Sequence, residues 1–170
     1  MVSVVASTDL ETVLDRTPGT VTAFLEHLVG EPVDAHRRRH EAARADPSNA
    51  LQVAEGDPLL RRTAVLQGRR SGTPYVYAET LLVPGRLSVR FRERLDSGPD
   101  PIGRLLVEEG ISVTRQILTG SDRRFVSVPS DPDAASGCLL ARTYRVDAEG
   151  WPIMVIAEWF LPSLEEFLPV

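Results

Sequence analysis

The sequence predicts an α+β protein in which a six-stranded antiparallel sheet carries short helices on one side. Three observations lead there. Apolar, β-branched runs recur in pairs around turn residues, as hairpins do. Helix start and stop signals fall in the short stretches between those pairs. The tally is about six strands and three short helices, with no internal repeat or low-complexity run, an antiparallel sheet with a helical layer.

The first helix follows Thr-Pro-Gly-Thr, where Thr20 or Thr22 can cap a stripe of Val21, Phe24, Leu25 and Leu28 that Gly30 closes. Glu31 to Ala45 mixes helix formers with an alternation at Val33 and Ala35, and is read as a strand from about Val33 to His40. Asp46 to Asp57, with Pro47, Ser48, Asn49 and Gly56, is a connecting loop. Leu59 to Gln67 and Tyr75 to Val83 form a hairpin across Gly-Arg-Arg-Ser-Gly-Thr-Pro, ended by Pro84 and Gly85. Arg86 to Leu95 is a charged helix. Asp100 as cap and Pro101 as first helical residue start another, which stops at Gly110. Ile111 to Leu118 is a strand, and Thr119 to Ser136 a polar loop.

The last hairpin, residues 138–162, places two apolar runs around Asp-Ala-Glu-Gly. A three-residue loop of Ala148, Glu149 and Gly150 sets Asp147 against Trp151, with Arg142 opposite Ile156 and Glu158 opposite Leu140. Arg142 and Glu158 then share one face with Leu140, Tyr144, Met154, Ile156 and Phe160. A guanidinium and a carboxylate among apolar side chains are either a structural ion pair or part of a site.

Composition narrows the function. With 170 residues, 42% hydrophobic and 25% charged, the chain suits one domain over 1–170 with a sizeable core. A net charge of −5 argues against a nucleic-acid partner, despite basic runs at Arg37 to Arg39 and at Arg123 and Arg124. All nineteen basic residues are arginine, so no lysine can form a Schiff base, while arginine forks suit planar carboxylates. The single Cys138 excludes an internal disulfide and a cysteine metal cluster, which fits a reducing compartment. The first residues lack a basic region and a long apolar core, and no stretch approaches a membrane span, so a cytoplasmic protein is expected.

No G-x-S-x-G, P-loop, G-x-G-x-x-G or H-E-x-x-H signature occurs. His36 and His40 have the i,i+4 spacing of a helical metal pair, but they flank three arginines and lack a third ligand nearby; no metal is expected. What remains is Arg62 in a central strand, Arg142 and Glu158 on the last hairpin, and the amides of Ile102 and Gly103 at the start of the Pro101 helix. Together they suit a small dianion.

Leu60 to Gly68, Tyr75 to Pro84, Pro101-Ile102-Gly103-Arg104-Leu105-Leu106 and Ile156-Ala157-Glu158-Trp159-Phe160-Leu161-Pro162 resemble, in order, the landmarks of chorismate pyruvate-lyases. The Thr20-Val21-Thr22 stretch fits the same pattern, and the likeness spans about Pro18 to Pro162. The resemblance implies a six-stranded antiparallel fold that removes pyruvate from chorismate to give 4-hydroxybenzoate, with no metal or cofactor. It also implies that Arg62 and the Ile102 amide hold the ring carboxylate, while Glu158 and a backbone group of Val21 meet the hydroxyl. Arg142 is assigned to the enolpyruvyl carboxylate on charge alone. The competing expectation is a non-enzymatic domain of the same fold that binds a hydroxybenzoate-like anion, as in effector domains of bacterial regulators. Those follow a helix-turn-helix domain, which the seventeen residues before Pro18 are too few to make.

Overall fold

A computed structural model of the chain describes residues 4–17, 19–47, 49–118 and 136–169. Among these residues six strands form one sheet: β1 (Val33–Arg44), β2 (Pro58–Gly68), β3 (Pro74–Leu82), β4 (Val113–Ile117), β5 (Leu140–Ala148) and β6 (Trp151–Phe160). Their order is β1-β2-β3-β6-β5-β4, and every pair is antiparallel. The expected run of consecutive hairpins therefore breaks once. β3 pairs with β6, and β4 becomes the edge beside β5. Alternation within a strand names its buried face but not its neighbour, so the sequence could not show this crossing.

Among the described residues four α-helices accompany the sheet: α1 (Val4–Arg16), α2 (Val21–Val29), α3 (Val89–Ser97) and α4 (Ile102–Glu108). α1 was not anticipated; its Leu10 and Leu14 are buried with Phe24, Leu25 and Phe160. α2 begins where expected, with the Thr20 side chain accepting from the Ala23 amide at 3.1 Å, and ends at Gly30 in the left-handed region. The helix expected from Arg86 starts later. Pro84–Arg86 is a 3-10 turn, and Ser88 caps α3 by accepting from Phe91 N at 3.1 Å. Asp100 does not cap α4 either. Pro101 occupies that position without a side-chain bond, and Asp100 pairs instead with Arg94 and Arg104.

All four helices lie on one face. There Phe91, Leu95, Leu105 and Met154 form one apolar cluster, and Leu10, Leu25, Phe160 and Leu164 another. The opposite face buries Leu51, Leu59, Tyr77, Val155 and Trp159. The loop after β1 covers that second face, because Arg86 donates to Leu51 O at 2.7 Å, Gln52 O at 3.0 Å and Pro152 O at 2.6 Å.

β1 runs four residues beyond the expected His40, with an irregularity between Arg37 and Arg39. His36 lies opposite Val65 and His40 opposite Arg62, so the bulge leaves the two histidines on opposite faces. The i,i+4 spacing would put the histidines on one face only in a helix, and this segment is a strand, as expected. Most of the Thr119 to Ser136 loop and the Arg123 and Arg124 run lie outside the described residues.

The last hairpin differs from the expected register by two residues. Ala148 pairs with Trp151, leaving Glu149 and Gly150 as a two-residue turn with φ of 52° and 81°, the signs a type I′ turn requires. A bulge after Val146 adds one more residue of offset, and Arg142 ends directly opposite Glu158. An even shift preserves the face, so the two side chains still point the same way.

Glu31 fastens the β2–β3 turn to the start of β1. Its carboxylate accepts from Arg70 N at 2.8 Å, Ser71 N at 3.0 Å and the Tyr75 hydroxyl at 3.1 Å. A Cβ on Gly68 would collide with that carboxylate. The Ser71 amide above all, with Arg70 and Tyr75, holds its pKa at about 2 against an ordinary 4.5. A value depressed on folding means stability complete above about 4.5 and lost as pH falls towards about 2. Thermal unfolding across that window should therefore show a decline that Glu31→Gln flattens; an identical pH slope in the variant would show that other carboxylates carry it.

Candidate active site

Two transverse rows of the sheet assemble a site beneath the helices. One reads Arg62, Thr80, Ile156, Tyr144, and the next Ala64, Ala78, Glu158, Arg142. Ala64 and Ala78 face each other between Arg62 and Glu158, and their small side chains leave space where larger residues would fill the core. A cavity of about 50 Å³ lies there. Its floor is apolar, its walls carry Arg62 and Glu158, and its roof is Val21 and Thr22 of α2 with Ile102 and Gly103 of α4.

The roof depends on close helix approach. A Cβ on Gly103 would lie 2.8 Å from the Cβ of Thr20, so a side chain at that position would force the two helix starts apart. Arg104, on the next residue of α4, donates to Val33 O at 2.9 Å and to Glu26 at 3.3 Å. That arginine ties α4 to α2 and to β1.

Arg62 is 3% exposed and Glu158 4%, so both bring charge into a water-poor space. Glu158 has two donors of its own. Arg142 Nε donates to Oε2 at 2.9 Å, and the Tyr144 hydroxyl donates to Oε1 at 2.5 Å. Burial first, then the Glu158 carboxylate beside it, pushes the Tyr144 hydroxyl well above its usual pKa, so it stays protonated and donates. Burial works most strongly against the charge on Arg142, but Glu158, Tyr144 and Asp15 together outweigh it and the pKa of the guanidinium is raised. The same guanidinium lies 5.1 Å from the Tyr144 ring centroid and 5.6 Å from that of Phe160.

Of the residues expected from the sequence, Arg62, Glu158, Val21, Ile102 and Gly103 all line the cavity. Arg142 does not. It lines a second, outer pocket of about 360 Å³ that shares Val21, Tyr144 and Arg115 with the cavity. Sequence reasoning missed Tyr144 as a partner of Glu158 and missed Arg115 altogether. Tyr144 stands two residues from Arg142 on the same face, and Arg115 interrupts the face of Val113 and Ile117, so alternation alone marked both positions.

Comparison with known proteins follows the same lines. The family described as chorismate pyruvate-lyase Rv2949c-like matches residues 16–168. A chorismate pyruvate-lyase of Mycobacterium tuberculosis (strain H37Rv) is 30% identical over 109 residues, 62% of this chain and 54% of that protein. One from Mycobacterium leprae is 25% identical over 167 residues, covering 92% of this chain and 76% of that protein. The chain thus spans about half the length of the tuberculosis relative it matches. Among solved structures, PhnF from Mycobacterium smegmatis superposes with a TM-score of 0.53 at 14% identity, covering 87% of this chain and 66% of that one. The effector domain of PhnF gives 0.52 at 14% identity, over 85% and 90%. At that identity the likeness is one of fold.

Removing one partner of a buried charge costs more than removing a neutral donor. Arg142→Met should therefore lower the free energy of unfolding in urea by about 3–5 kcal/mol, and Tyr144→Phe by about 1.5–3 kcal/mol. An Arg142→Met protein as stable as wild type would show that the guanidinium does not carry the Glu158 charge.

Proposed function

The chain belongs to the chorismate pyruvate-lyase Rv2949c-like family, and on that premise we propose that it removes pyruvate from chorismate to leave 4-hydroxybenzoate. The observation that carries the reading is a buried arginine and a buried glutamate facing one small apolar cavity. Their strands are two spacings apart, about 9–10 Å at the backbone, and the alanines between them keep the space between the two charges clear of side chains. Arg62 takes the ring carboxylate, joined by the amide of Ile102, the first residue of α4, which has no intrahelical acceptor. Glu158 and a backbone group of Val21 meet the ring hydroxyl at the opposite end.

The reaction is an elimination. The ether bond to the ring breaks, the hydrogen on the hydroxyl-bearing carbon leaves as a proton, and its electron pair completes the aromatic ring. The departing enolpyruvate takes up a proton and becomes pyruvate. Aromatisation supplies the driving force, so neither a metal nor an organic cofactor is required; the protein fixes the breaking bond in line and excludes water. Each oxygen of Glu158 already accepts from a protein donor, and a carboxylate oxygen has capacity for a further bond. As the ring turns aromatic its hydroxyl becomes phenolic and more acidic, so its bond to Glu158 strengthens towards the transition state. Only such differential strengthening speeds chemistry.

The fold shared with the effector domain of PhnF supports a second reading, a domain that binds the same kind of anion without turning it over. Incubation with chorismate separates the two. Pyruvate and 4-hydroxybenzoate should appear in equal amounts, untouched by chelators; 3-hydroxybenzoate, or no pyruvate, would sink the lyase reading.

Arg62→Ala should lower kcat/KM through weaker binding by about ten- to a hundredfold, the equivalent of one charge-assisted contact, and Arg62→Lys should rescue little because a point charge lacks the fork. Glu158→Gln should keep the fold and lower kcat by about ten- to a thousandfold, the range for one preorganised electrostatic contact. An unchanged kcat with a lowered melting temperature would make Glu158 a structural partner of Arg142 alone.

A further inference from the structure

The buried cavity of about 50 Å³ is far smaller than a typical small-ligand site of about 300–1,000 Å³. The outer pocket, about 360 Å³, falls within that range but lies beyond Arg62 and Glu158. The two share a wall of Val21, Tyr144 and Arg115, so a ligand with one end on Arg62 extends past that wall into the outer pocket.

The charges along this path differ in how they are engaged. Arg142 is bonded to Glu158 and also feels Asp15, the one carboxylate among the described residues of the outer pocket. Arg115 comes from edge strand β4, opposite Val146, on the same sheet face as the site. Among the described residues it makes no hydrogen bond and no ion pair, and it borders both spaces at once. Its neighbours on that face, Val113 and Ile117, are apolar and offer its guanidinium no acceptor.

We propose that Arg115, not Arg142, holds the second carboxylate of the substrate, so that the site takes a dianion with one carboxylate at Arg62 and an ether-linked carboxylate at the junction of cavity and outer pocket. The proposal rests on the dianionic substrate named above and adds the residue that distinguishes substrate from product. The aromatic product has lost that second carboxylate and makes no use of Arg115. Cleavage divides the two anchors between the fragments, so the aromatic product keeps only the Arg62 end and pyruvate only the Arg115 end, each held by one contact fewer than the substrate, and the outer pocket is then the route by which the smaller one leaves.

The test compares two stable ligands by calorimetry: 4-hydroxybenzoate, and 3-(carboxymethoxy)-4-hydroxybenzoate, which differs only by an ether-linked carboxylate. Arg115→Ala should weaken the dicarboxylate by about ten- to a hundredfold, the loss of one charge-assisted contact, and leave 4-hydroxybenzoate unchanged. Arg115→Lys should recover part of the difference, because it restores the charge without the fork. Arg62→Ala should weaken both ligands. Equal weakening of both by Arg115→Ala, no weakening of the dicarboxylate, or a wild type that binds neither ligand would overturn the proposal. Arg115 is exposed at the sheet edge, so a melting temperature equal to wild type is expected and confirms that the variant is folded. Pyruvate release by the wild type is read separately: its absence removes the lyase reading, while the two-ligand comparison still decides Arg115.

Discussion

The buried carboxylate of Glu158 is the constraint around which the site is built. It sits at the centre of the sheet, flanked along its strand by Ile156 and Phe160, and its charge is tolerable only because Arg142 and Tyr144 donate to it from the neighbouring strand. That requirement makes the pairing of β5 with β6 exacting. A slip of one residue would turn Arg142 and Tyr144 to the opposite face and leave a bare anion in the core. The two-residue turn at Glu149 and Gly150 and the bulge after Val146 set the alignment that brings the three groups together.

A buried ion pair seldom improves stability over well-packed apolar residues of the same volume. Core positions such as 142 and 158 could have been filled with leucine and phenylalanine, as the flanking positions are. An arginine, a tyrosine and a glutamate stand there instead, and two of them, Tyr144 and Glu158, line the cavity. Arg62, three strands from Arg142 across the sheet, follows the same logic, being a guanidinium at 3% exposure beside alanines. Polar side chains oriented in advance need not reorganise as charge moves in a bound molecule, which is why such an arrangement can serve catalysis.

The space itself comes from omission. Ala64 and Ala78 withhold volume from the floor, and Gly103 withholds a Cβ so that α2 and α4 start within contact distance of each other. Arg104 then locks that roof to β1, and the second face of the sheet is closed separately by the loop that Arg86 holds down. One face therefore carries the candidate site and the other is closed by packing alone, both on the same sheet.

The sequence by itself determined the strands as alternating runs, the helix limits at Thr20 and Gly30, and the presence of Arg62, Arg142 and Glu158 at buried-face positions, because all of these follow from local periodicity and capping. The family likeness was legible too, in motifs that keep their order along the chain. Only the tertiary structure decided that β3 lies beside β6, that α1 covers the core, and that Arg142 faces an outer pocket while Tyr144 and Arg115 border the cavity. Strand neighbours, bulges and the gap between two helices depend on contacts between residues far apart in sequence, and a one-dimensional pattern of period two carries no information about them.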